Sequence, residues 1–289
     1  MTRRLPTWFK KKIPPPGVMA SMRTLLDGLD LNTICESAHC PNIVDCFTRR
    51  TATFLIMGDT CTRQCSFCVV SKGVPLPLDE MEPEHLVEAV AELGLKYVVV
   101  TSVTRDDLPD GGAAHFARTI TRLRNFDPTI AVEVLVPDFN GGSDSVKVVV
   151  DAGPGVINHN LETVPRLYAG VRPRAQYERS LRLLRQVKNL NERIVTKSGV
   201  MVGLGETKDE VVQLMSDLRE VNCDLLTLGQ YLQPSSCHHP VIRFVHPEEF
   251  EEYKHVALEM GFRAVASAPL VRSSFDAARL YKQATAEVV

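Results

Sequence analysis

Apolar residues recur with two different periods along most of the chain. Six short runs of mostly apolar, often β-branched residues have the length of buried strands and lie at 53–58, 97–102, 130–136, 156–160, 196–202 and 225–230. Each run is followed by a segment with apolar residues at helical spacing, at 86–93, 113–124, 143–150, 177–190, 207–221 and 247–260. Strands that alternate with helices in this way form a parallel sheet through right-handed crossovers. Because eight such units close a barrel, six predict an α/β fold: an incomplete (β/α)6 TIM-type barrel, open on one side.

Local signals support several of these boundaries. Pro83 suits the first turn of a helix, Gly94 is placed to end that helix, and Thr207 and Glu210 have the spacing of a capping box. A helix is also expected at 21–31, a short strand at 264–266 and a last helix after Phe275. We therefore divide the chain into an N-terminal extension (1–50), the partial barrel (51–262) and a C-terminal segment (263–289).

The composition is that of an ordinary globular protein. Apolar residues make up 44% of the chain, and 33 basic against 35 acidic residues give a net charge of −2. Without a basic excess we expect no nucleic-acid partner, and without an apolar run of spanning length we expect no membrane association. The basic N-terminal arm has no apolar signal core, and the prolines at 14–16 oppose the helix of a transit peptide. Because the cysteines are clustered as metal ligands would be, we expect a reducing, cytoplasmic location.

Three cysteines follow the first predicted strand directly. Cys61, Cys65 and Cys68 have the spacing C-x3-C-x2-C. Thiolates are soft ligands that favour iron–sulfur clusters or zinc, and three of them can hold one face of a cubic 4Fe-4S cluster. The fourth iron is then open to a small molecule, which points to a reaction centre. Structural zinc is the alternative, but zinc sites usually combine two cysteine pairs and no second pair lies downstream.

A second set of three cysteines precedes this one. Cys35, Cys40 and Cys46 have the spacing C-x4-C-x5-C, and a predicted strand separates them from the first set. The different spacings favour two separate sites over one site with six thiolates. His39 lies beside Cys40 but is not expected to be a ligand, because the turn that places its neighbours points it away.

The set at 61–68, with the aromatic Phe67 before its last cysteine, resembles the signature of the radical S-adenosylmethionine (SAM) enzymes. In that family the amino and carboxylate groups of SAM occupy the open iron. Polar residues at the strand ends are candidates for the rest of its site. Glu133 has apolar neighbours, so its burial is costly without a partner and favours ligand binding over packing. The residues expected to bind SAM are Phe67, Thr101, Ser102, Glu133 and Asn158.

The whole chain resembles the lipoyl synthase family. Both cysteine spacings are followed near the end by Arg272-Ser273-Ser274, and further stretches agree at 100–112, 159–164, 196–206 and 230–234. One departure is Phe275, where the family usually has tyrosine, which puts only a local hydrogen bond in doubt. By itself Arg-Ser-Ser before a helix would be a simple N-cap.

The resemblance implies an activity. Cys61, Cys65 and Cys68 would hold the cluster that reduces SAM to methionine and a 5′-deoxyadenosyl radical, which abstracts hydrogen from a protein-bound octanoyl-lysine. Cys35, Cys40 and Cys46, with Ser274 as fourth ligand, would hold a second 4Fe-4S cluster that is consumed as it gives sulfur to carbons 6 and 8. The implied partners are octanoylated carrier domains, namely 2-oxoacid dehydrogenase acyltransferase subunits and the glycine cleavage H protein, and an electron donor such as ferredoxin or flavodoxin. Two alternatives stay open: another radical SAM enzyme with an auxiliary cluster, and a non-catalytic iron–sulfur or zinc protein.

Overall fold

The computed structural model describes residues 4–10 and 17–286, apart from the side chain of Val18. The prolines at 14–16, on which the expectation about a transit peptide was based, lie outside the described residues. The helices are α1 Val18–Gly28, α2 Ile34–Ser37, α3 Ile43–Thr48, α4 Glu82–Leu93, α5 Ala113–Phe126, α6 Ser143–Asp151, α7 Tyr168–Val171, α8 Tyr177–Leu190, α9 Lys208–Glu220, α10 Pro247–Glu259 and α11 Ala277–Thr285. The strands are β1 Asn32–Thr33, β2 Thr53–Ile56, β3 Thr60–Cys61, β4 Ser71–Lys72, β5 Tyr97–Ser102, β6 Ala131–Leu135, β7 Val156–Asn158, β8 Val195–Val202, β9 Leu225–Gln230 and β10 Ala264–Ser267.

The sheet has the predicted parallel order. Its strands run β1-β2-β5-β6-β7-β8-β9-β10, and every neighbouring pair is parallel except β1 with β2. Within the described part of the chain no ladder joins β1 to β10, so the barrel is partial, as expected. The short predicted strand at 264–266 is β10, which pairs with β9 and adds a seventh parallel strand to the six units counted in the sequence.

Capping chemistry fixes the helix ends that the sequence indicated. Thr207 accepts a hydrogen bond from the Glu210 N–H, and the Glu210 carboxylate accepts one from the Thr207 N–H, so the capping box is confirmed. Gly94 ends α4 in the left-handed region at φ +66°, a conformation that costs glycine little. The first helix begins at Val18, three residues before the predicted start.

The two chain extensions cover different parts of the barrel. Helix α11 lies across the amino ends of the strands, where Leu280 packs with the first residues of four strands, Val156, Val195, Leu225 and Ala264. The N-terminal extension adds β1 to the edge of the sheet and packs α1 against α3. Helix α11 therefore leaves the carboxyl ends of the parallel strands for the site, and other residues of both extensions line that end. No helix among residues 4–10 and 17–286 has the length and apolar character needed to cross a bilayer.

Candidate active site

A cavity of about 490 Å³ lies at the carboxyl ends of the parallel strands. Its wall is built from residues of β2, β5, β6, β8 and β9, the loops after β2 and β7, residues between 34 and 41 of the N-terminal extension, and residues 271–274. This is the end at which parallel barrels bind their ligands. Five of the six predicted cysteine ligands line it: Cys35, Cys40, Cys61, Cys65 and Cys68.

The loop with the first cysteine set is bonded to its neighbours on several sides. The Sγ atom of Cys61 accepts hydrogen bonds from the N–H groups of Arg63 and Thr104, each at 3.4 Å. Further along, Ser66 donates through its N–H to Val171 O and through its hydroxyl to Gly170 O. These hydrogen bonds fix the position of the loop, and all three of its cysteines line the cavity.

The thiols fit a metal cluster better than a role as free nucleophiles. Burial raises the pKa of the Cys65 thiol and raises that of Cys68 to about 11. A thiol in such a place stays protonated at neutral pH unless a metal coordinates it and displaces the proton. In the part of the chain that the structure describes, no three His, Cys, Asp or Glu side chains are grouped closely enough to hold a single metal ion. A cubic cluster instead takes each thiolate on a separate iron.

The second cysteine set is packed against the C-terminal segment. Burial raises the pKa of Cys35 to about 12 and also raises that of Cys46. Asn42, between Cys40 and Cys46, donates a hydrogen bond to Leu270 O at 2.7 Å. Arg49 lies 3.6 Å from Asp276 and stacks over the Phe275 ring. The N-terminal extension and the C-terminal segment therefore meet at this set of cysteines.

Ser274 lines the same cavity as Cys35 and Cys40. The position agrees with the predicted fourth ligand, while ligation itself stays a prediction. Ser273 accepts a 2.7 Å hydrogen bond from the Asn160 amide after β7, which ties the segment to the barrel. Arg49 stacks over the ring of Phe275, a cation–π contact that does not require a hydroxyl group.

The predicted SAM contacts fall into two groups. Phe67, Thr101 and Ser102 line the cavity, and the buried Ser102 hydroxyl has no hydrogen-bond partner among the described residues. Asn158 is 1% exposed and lies just outside the lining, and both of its amide atoms lack a partner within the same described residues. Buried polar atoms without partners are costly, so these side chains suit a polar ligand or water. Contact with SAM stays a prediction for all of them.

Glu133 is buried for a reason that the sequence did not reveal. Its carboxylate accepts a 2.7 Å hydrogen bond from Lys197 Nζ and a 2.6 Å one from the Tyr97 hydroxyl, and both Glu133 and Lys197 are 0% exposed. It does not appear among the described residues that line the cavity. Its charge is thus balanced inside the barrel, which removes the argument from an unpaired carboxylate. A SAM contact at Glu133 stays a prediction without that support.

Sequence reasoning missed other polar residues of the cavity. Glu162 and Arg172 both line it, and Arg172 donates through Nη1 to the main-chain oxygens of Asn160 and Leu161 while its buried Nε has no partner among the described residues. Burial raises the pKa of Glu162. Glu162 lies in the stretch 159–164, which carries only the family resemblance, and Arg172 follows the short helix α7 and so has no strand-end signal in the sequence.

His159 is held as a neutral ring in the cavity wall. Its Nδ1 lies 2.8 Å from Val136 O, which can only accept, so Nδ1 carries the proton and Nε2 accepts from the Ser180 hydroxyl at 2.9 Å. Burial, aided by the charge of Arg172, lowers the pKa of His159 to about 4. The ring therefore contributes no charge to the cavity at neutral pH.

Comparison with known proteins defines the class. The family model of the radical SAM superfamily matches residues 55–218. Among solved structures of low sequence identity, methylornithine synthase (TM-score 0.51, 15% identity, 88% of this chain and 83% of that one) shares the fold. So does coproporphyrinogen III oxidase from Escherichia coli, described as a radical SAM enzyme (TM-score 0.50, 14% identity, 78% and 57%). The fold and the cysteine loop are those of a radical SAM enzyme, and the chain belongs to that superfamily.

Relatives that match nearly the whole chain have a much higher sequence identity to it than these solved structures. The lipoyl synthase of Caldanaerobacter subterraneus is 57% identical over 96% of this chain and 97% of its own length. That of Caldicellulosiruptor bescii is 55% identical over 94% of each. The chain belongs to the lipoyl synthase family.

Proposed function

We propose that this protein is a lipoyl synthase that inserts sulfur at carbons 6 and 8 of an octanoyl chain carried on a protein lysine. The observation that supports this best is the single cavity shared by the two cysteine sets and the Arg-Ser-Ser segment. A radical generator and a sulfur donor must both reach the same carbon chain, and one cavity gives them that access.

The first cysteine set holds the radical generator. Cys61, Cys65 and Cys68 would hold a 4Fe-4S cluster, and this group would supply the electron for reductive cleavage of SAM. The protein positions SAM through polar groups of the wall. The Nε of Arg172, which has no partner among the described residues, suits a carboxylate. Glu162 accepts a hydrogen bond from the Asn160 amide through Oε1, and its second oxygen suits a hydroxyl group.

The second cluster is the sulfur source in this proposal. Cys35, Cys40, Cys46 and Ser274 would hold it, and the contacts of Asn42 with Leu270 and of Arg49 with Asp276 support their convergence. A serine oxygen is a harder ligand than a thiolate, so it would bind its iron more weakly than the three cysteines bind theirs. A weakly held iron would suit a cluster that must be opened and consumed.

The wall of the cavity protects reactive species. Leu55, Val103, Leu135 and Val136 bring apolar surface to it, and the neutral His159 adds no charge that would draw in water. Radical chemistry requires such exclusion of water. The substrate would be presented by octanoylated carrier domains of 2-oxoacid dehydrogenase acyltransferase subunits or of the glycine cleavage H protein, and ferredoxin or flavodoxin would supply electrons. A cytoplasmic location belongs to the same proposal, since clusters on thiolates need a reducing compartment.

The direct test is a single incubation. The protein, reconstituted with iron and sulfide, is mixed anaerobically with an octanoylated carrier peptide, SAM and a reductant, and the peptide is then weighed by mass spectrometry. We expect 5′-deoxyadenosine and a peptide heavier by two sulfur atoms. Formation of 5′-deoxyadenosine with no sulfur in the peptide would point to another radical SAM reaction.

Two variants separate the two roles. Cys65→Ala should abolish formation of 5′-deoxyadenosine, because it removes a ligand of the first cluster. Cys40→Ala should keep that activity, hold about one cluster in place of two by the rule of three cysteines per cluster, and transfer no sulfur. Reductive SAM cleavage by Cys65→Ala, or a sulfur-bearing product from Cys40→Ala, would contradict the assigned roles.

A further inference from the structure

The side chain of Arg63, between Cys61 and Cys65, connects three loops at the mouth of the barrel. Its Nε and Nη2 donate to the two carboxylate oxygens of Asp106 at 2.8 Å each, and Nη2 also lies 2.5 Å from Asp138 Oδ1. Asp106 follows β5 and Asp138 follows β6, so one guanidinium joins the cysteine loop to the next two loops along the sheet. The Arg63 side chain is 5% exposed and that of Asp138 0%, so water screens this pairing little.

The cluster of charges is balanced. Arg179, from α8, lies 3.2 Å from the other oxygen of Asp138. Two arginines thus face two aspartates, and Asn140 Oδ1 lies 2.9 Å from the same Arg63 Nη2. A planar guanidinium can bond both oxygens of Asp106 at once, which a lysine ammonium cannot do. The geometry of the loop therefore depends on arginine itself and not only on its charge.

The main chain around Arg63 is bonded to the same neighbouring loop. Thr62 donates through its N–H and its hydroxyl to Thr104 O, at 3.1 and 2.9 Å, and the hydroxyl accepts from the Asp106 N–H at 3.0 Å. Hydrogen bonds of both the main chain and the side chains therefore join residues 62–63 to residues 104–106.

The two joined segments both donate hydrogen bonds to the sulfur of Cys61. One donor is the N–H group of Arg63, in residues 62–63, and the other is that of Thr104, in residues 104–106. Hydrogen bonds to ligand sulfur stabilise the more negative, reduced form of a cluster and so raise its reduction potential. Keeping both donors in place requires that the two segments keep their relative position.

We propose that Arg63 is a positioning residue that, by its paired bonds to Asp106 and Asp138, fixes the hydrogen bonds to Cys61 Sγ and thereby sets the reduction potential of the cluster on Cys61, Cys65 and Cys68. The proposal depends on the first cluster, which superfamily membership implies, and not on sulfur insertion. Arg63 does not touch the reacting atoms in this account.

The test measures the potential of that cluster. In a Cys40→Ala background, which leaves one cluster to titrate, Arg63→Lys keeps the positive charge but loses the paired bonds. We expect unchanged iron and sulfide content and a reduction equilibrium about tenfold less favourable, a downward shift of about 59 mV for a one-electron couple. Reductive cleavage of SAM at a fixed weak reductant should slow, and a stronger reductant should restore it. Arg179→Lys is the matched control: it touches the same Asp138 from outside the cysteine loop and should leave the potential unchanged.

A second variant covers the case in which Arg63→Lys fails to fold. Thr62→Val removes both bonds of the hydroxyl without any change in charge, and it should lower the potential in the same direction. The proposal is overturned if Arg63→Lys, or Thr62→Val where Arg63→Lys does not fold, holds a full cluster at the wild-type potential. It is equally overturned if that variant loses iron while the remaining cluster titrates as in the wild type, since that result marks a purely structural role. Neither outcome depends on the octanoyl substrate, so the inference can fail while the proposed function stands.

Discussion

At the scale of single residues, spacing along the sequence identifies ligands but not buried partners. The cysteine sets are local patterns of eight and twelve residues, so sequence alone was enough to find them and to assign them to two sets. Glu133 shows what spacing along the sequence cannot predict. Its partner Lys197 lies 64 residues further on, and only the fold brings β6 and β8 side chains together inside the barrel. The cost of an unpaired carboxylate, on which the prediction of ligand binding rested, is therefore removed by Lys197, while a SAM contact at Glu133 stays a prediction.

The Glu133–Lys197 pair predicts a specific stability effect. Lys197→Met removes the cation but leaves the carboxylate buried beside the Tyr97 hydroxyl, so the free energy of unfolding should fall by about 3–5 kcal/mol. Lys197→Met combined with Glu133→Gln removes both charges and should recover much of that loss. Urea unfolding of the three proteins measures the difference. A double variant as unstable as the single one would show that the charge of Glu133 is not what the lysine compensates.

His159 predicts a pH dependence of stability. Its pKa is lowered from 6.5 to about 4 in the folded protein, so the unfolded chain binds the proton more readily between these values. Stability from this group is full above pH 6.5 and is lost as the pH falls towards 4. By linkage, His159 should account for about 2 kcal/mol of the stability lost between pH 7 and pH 5.

The comparison uses two glutamine variants. His159→Gln should flatten the fall in unfolding free energy between the two pH values, whereas His255→Gln, at a largely exposed position on α10, should not. Denaturant unfolding at each pH gives the numbers. Equal slopes in wild type and His159→Gln would contradict the neutral state assigned to the ring.

At the scale of elements, the sequence predicted the strands and helices well and the path of the C-terminal segment poorly. Periodicity gives β5, α8 and β9 with their observed bounds, because each is long and regular enough to show its period. The segment between β10 and α11 has no period. It follows the barrel because its main chain bonds to β9, with Ala268 N–H to Leu228 O and Gln230 N–H to Pro269 O.

Gly229 is the position where this segment comes closest to a strand. A Cβ added there would lie 2.0 Å from the carbonyl oxygen of Val271, a main-chain atom that can yield only if the segment moves. Gly229→Ala should therefore displace the segment that carries Ser274, at a cost of about 1–3 kcal/mol in stability. If Ser274 ligates the second cluster, the variant should bind less iron and transfer less sulfur while it still forms 5′-deoxyadenosine.

The control is another glycine with open space. Gly28→Ala, at the end of α1, meets no atom within 4 Å and should leave both cluster content and sulfur transfer unchanged. Iron analysis and peptide mass measure the two proteins side by side. Normal sulfur transfer by Gly229→Ala would show that the close approach of the segment to β9 is not needed for the donor site.

At the scale of the whole molecule, the fold brings residues of the N-terminal extension and the C-terminal segment to the same cavity as the cysteine loop at 61–68. The order of strands and helices was enough to predict a partial parallel barrel, since each crossover has a fixed hand. It could not predict that residues within 34–41 and residues 271–274 would share one cavity with the loop at 61–68. That arrangement depends on β1 at one edge of the sheet and β10 at the other. The sequence predicted β10 but not its place in the sheet, and β1 has only two residues, too few to show a pattern. The family resemblance supplied the link, and the contacts of the two extensions give its physical basis.

A shared cavity within one chain predicts that the two roles cannot be divided between two molecules. Cys65→Ala keeps the proposed sulfur donor but not the radical generator, and Cys40→Ala keeps the radical generator but not the donor. A substrate radical formed in one chain must take sulfur from the same cavity, because a radical released to water would be quenched before it met a second protein. An equimolar mixture of the two variants with octanoylated carrier peptide and SAM should therefore give no more sulfur-bearing peptide than either variant alone.

Wild-type protein diluted with an equal amount of Cys40→Ala should still give its own full yield, which shows that the variant does not inhibit. Sulfur-bearing product in the mixture of variants, at a rate that rises with the concentration of both, would mean that the donor acts between chains and that the common cavity is not where sulfur is transferred.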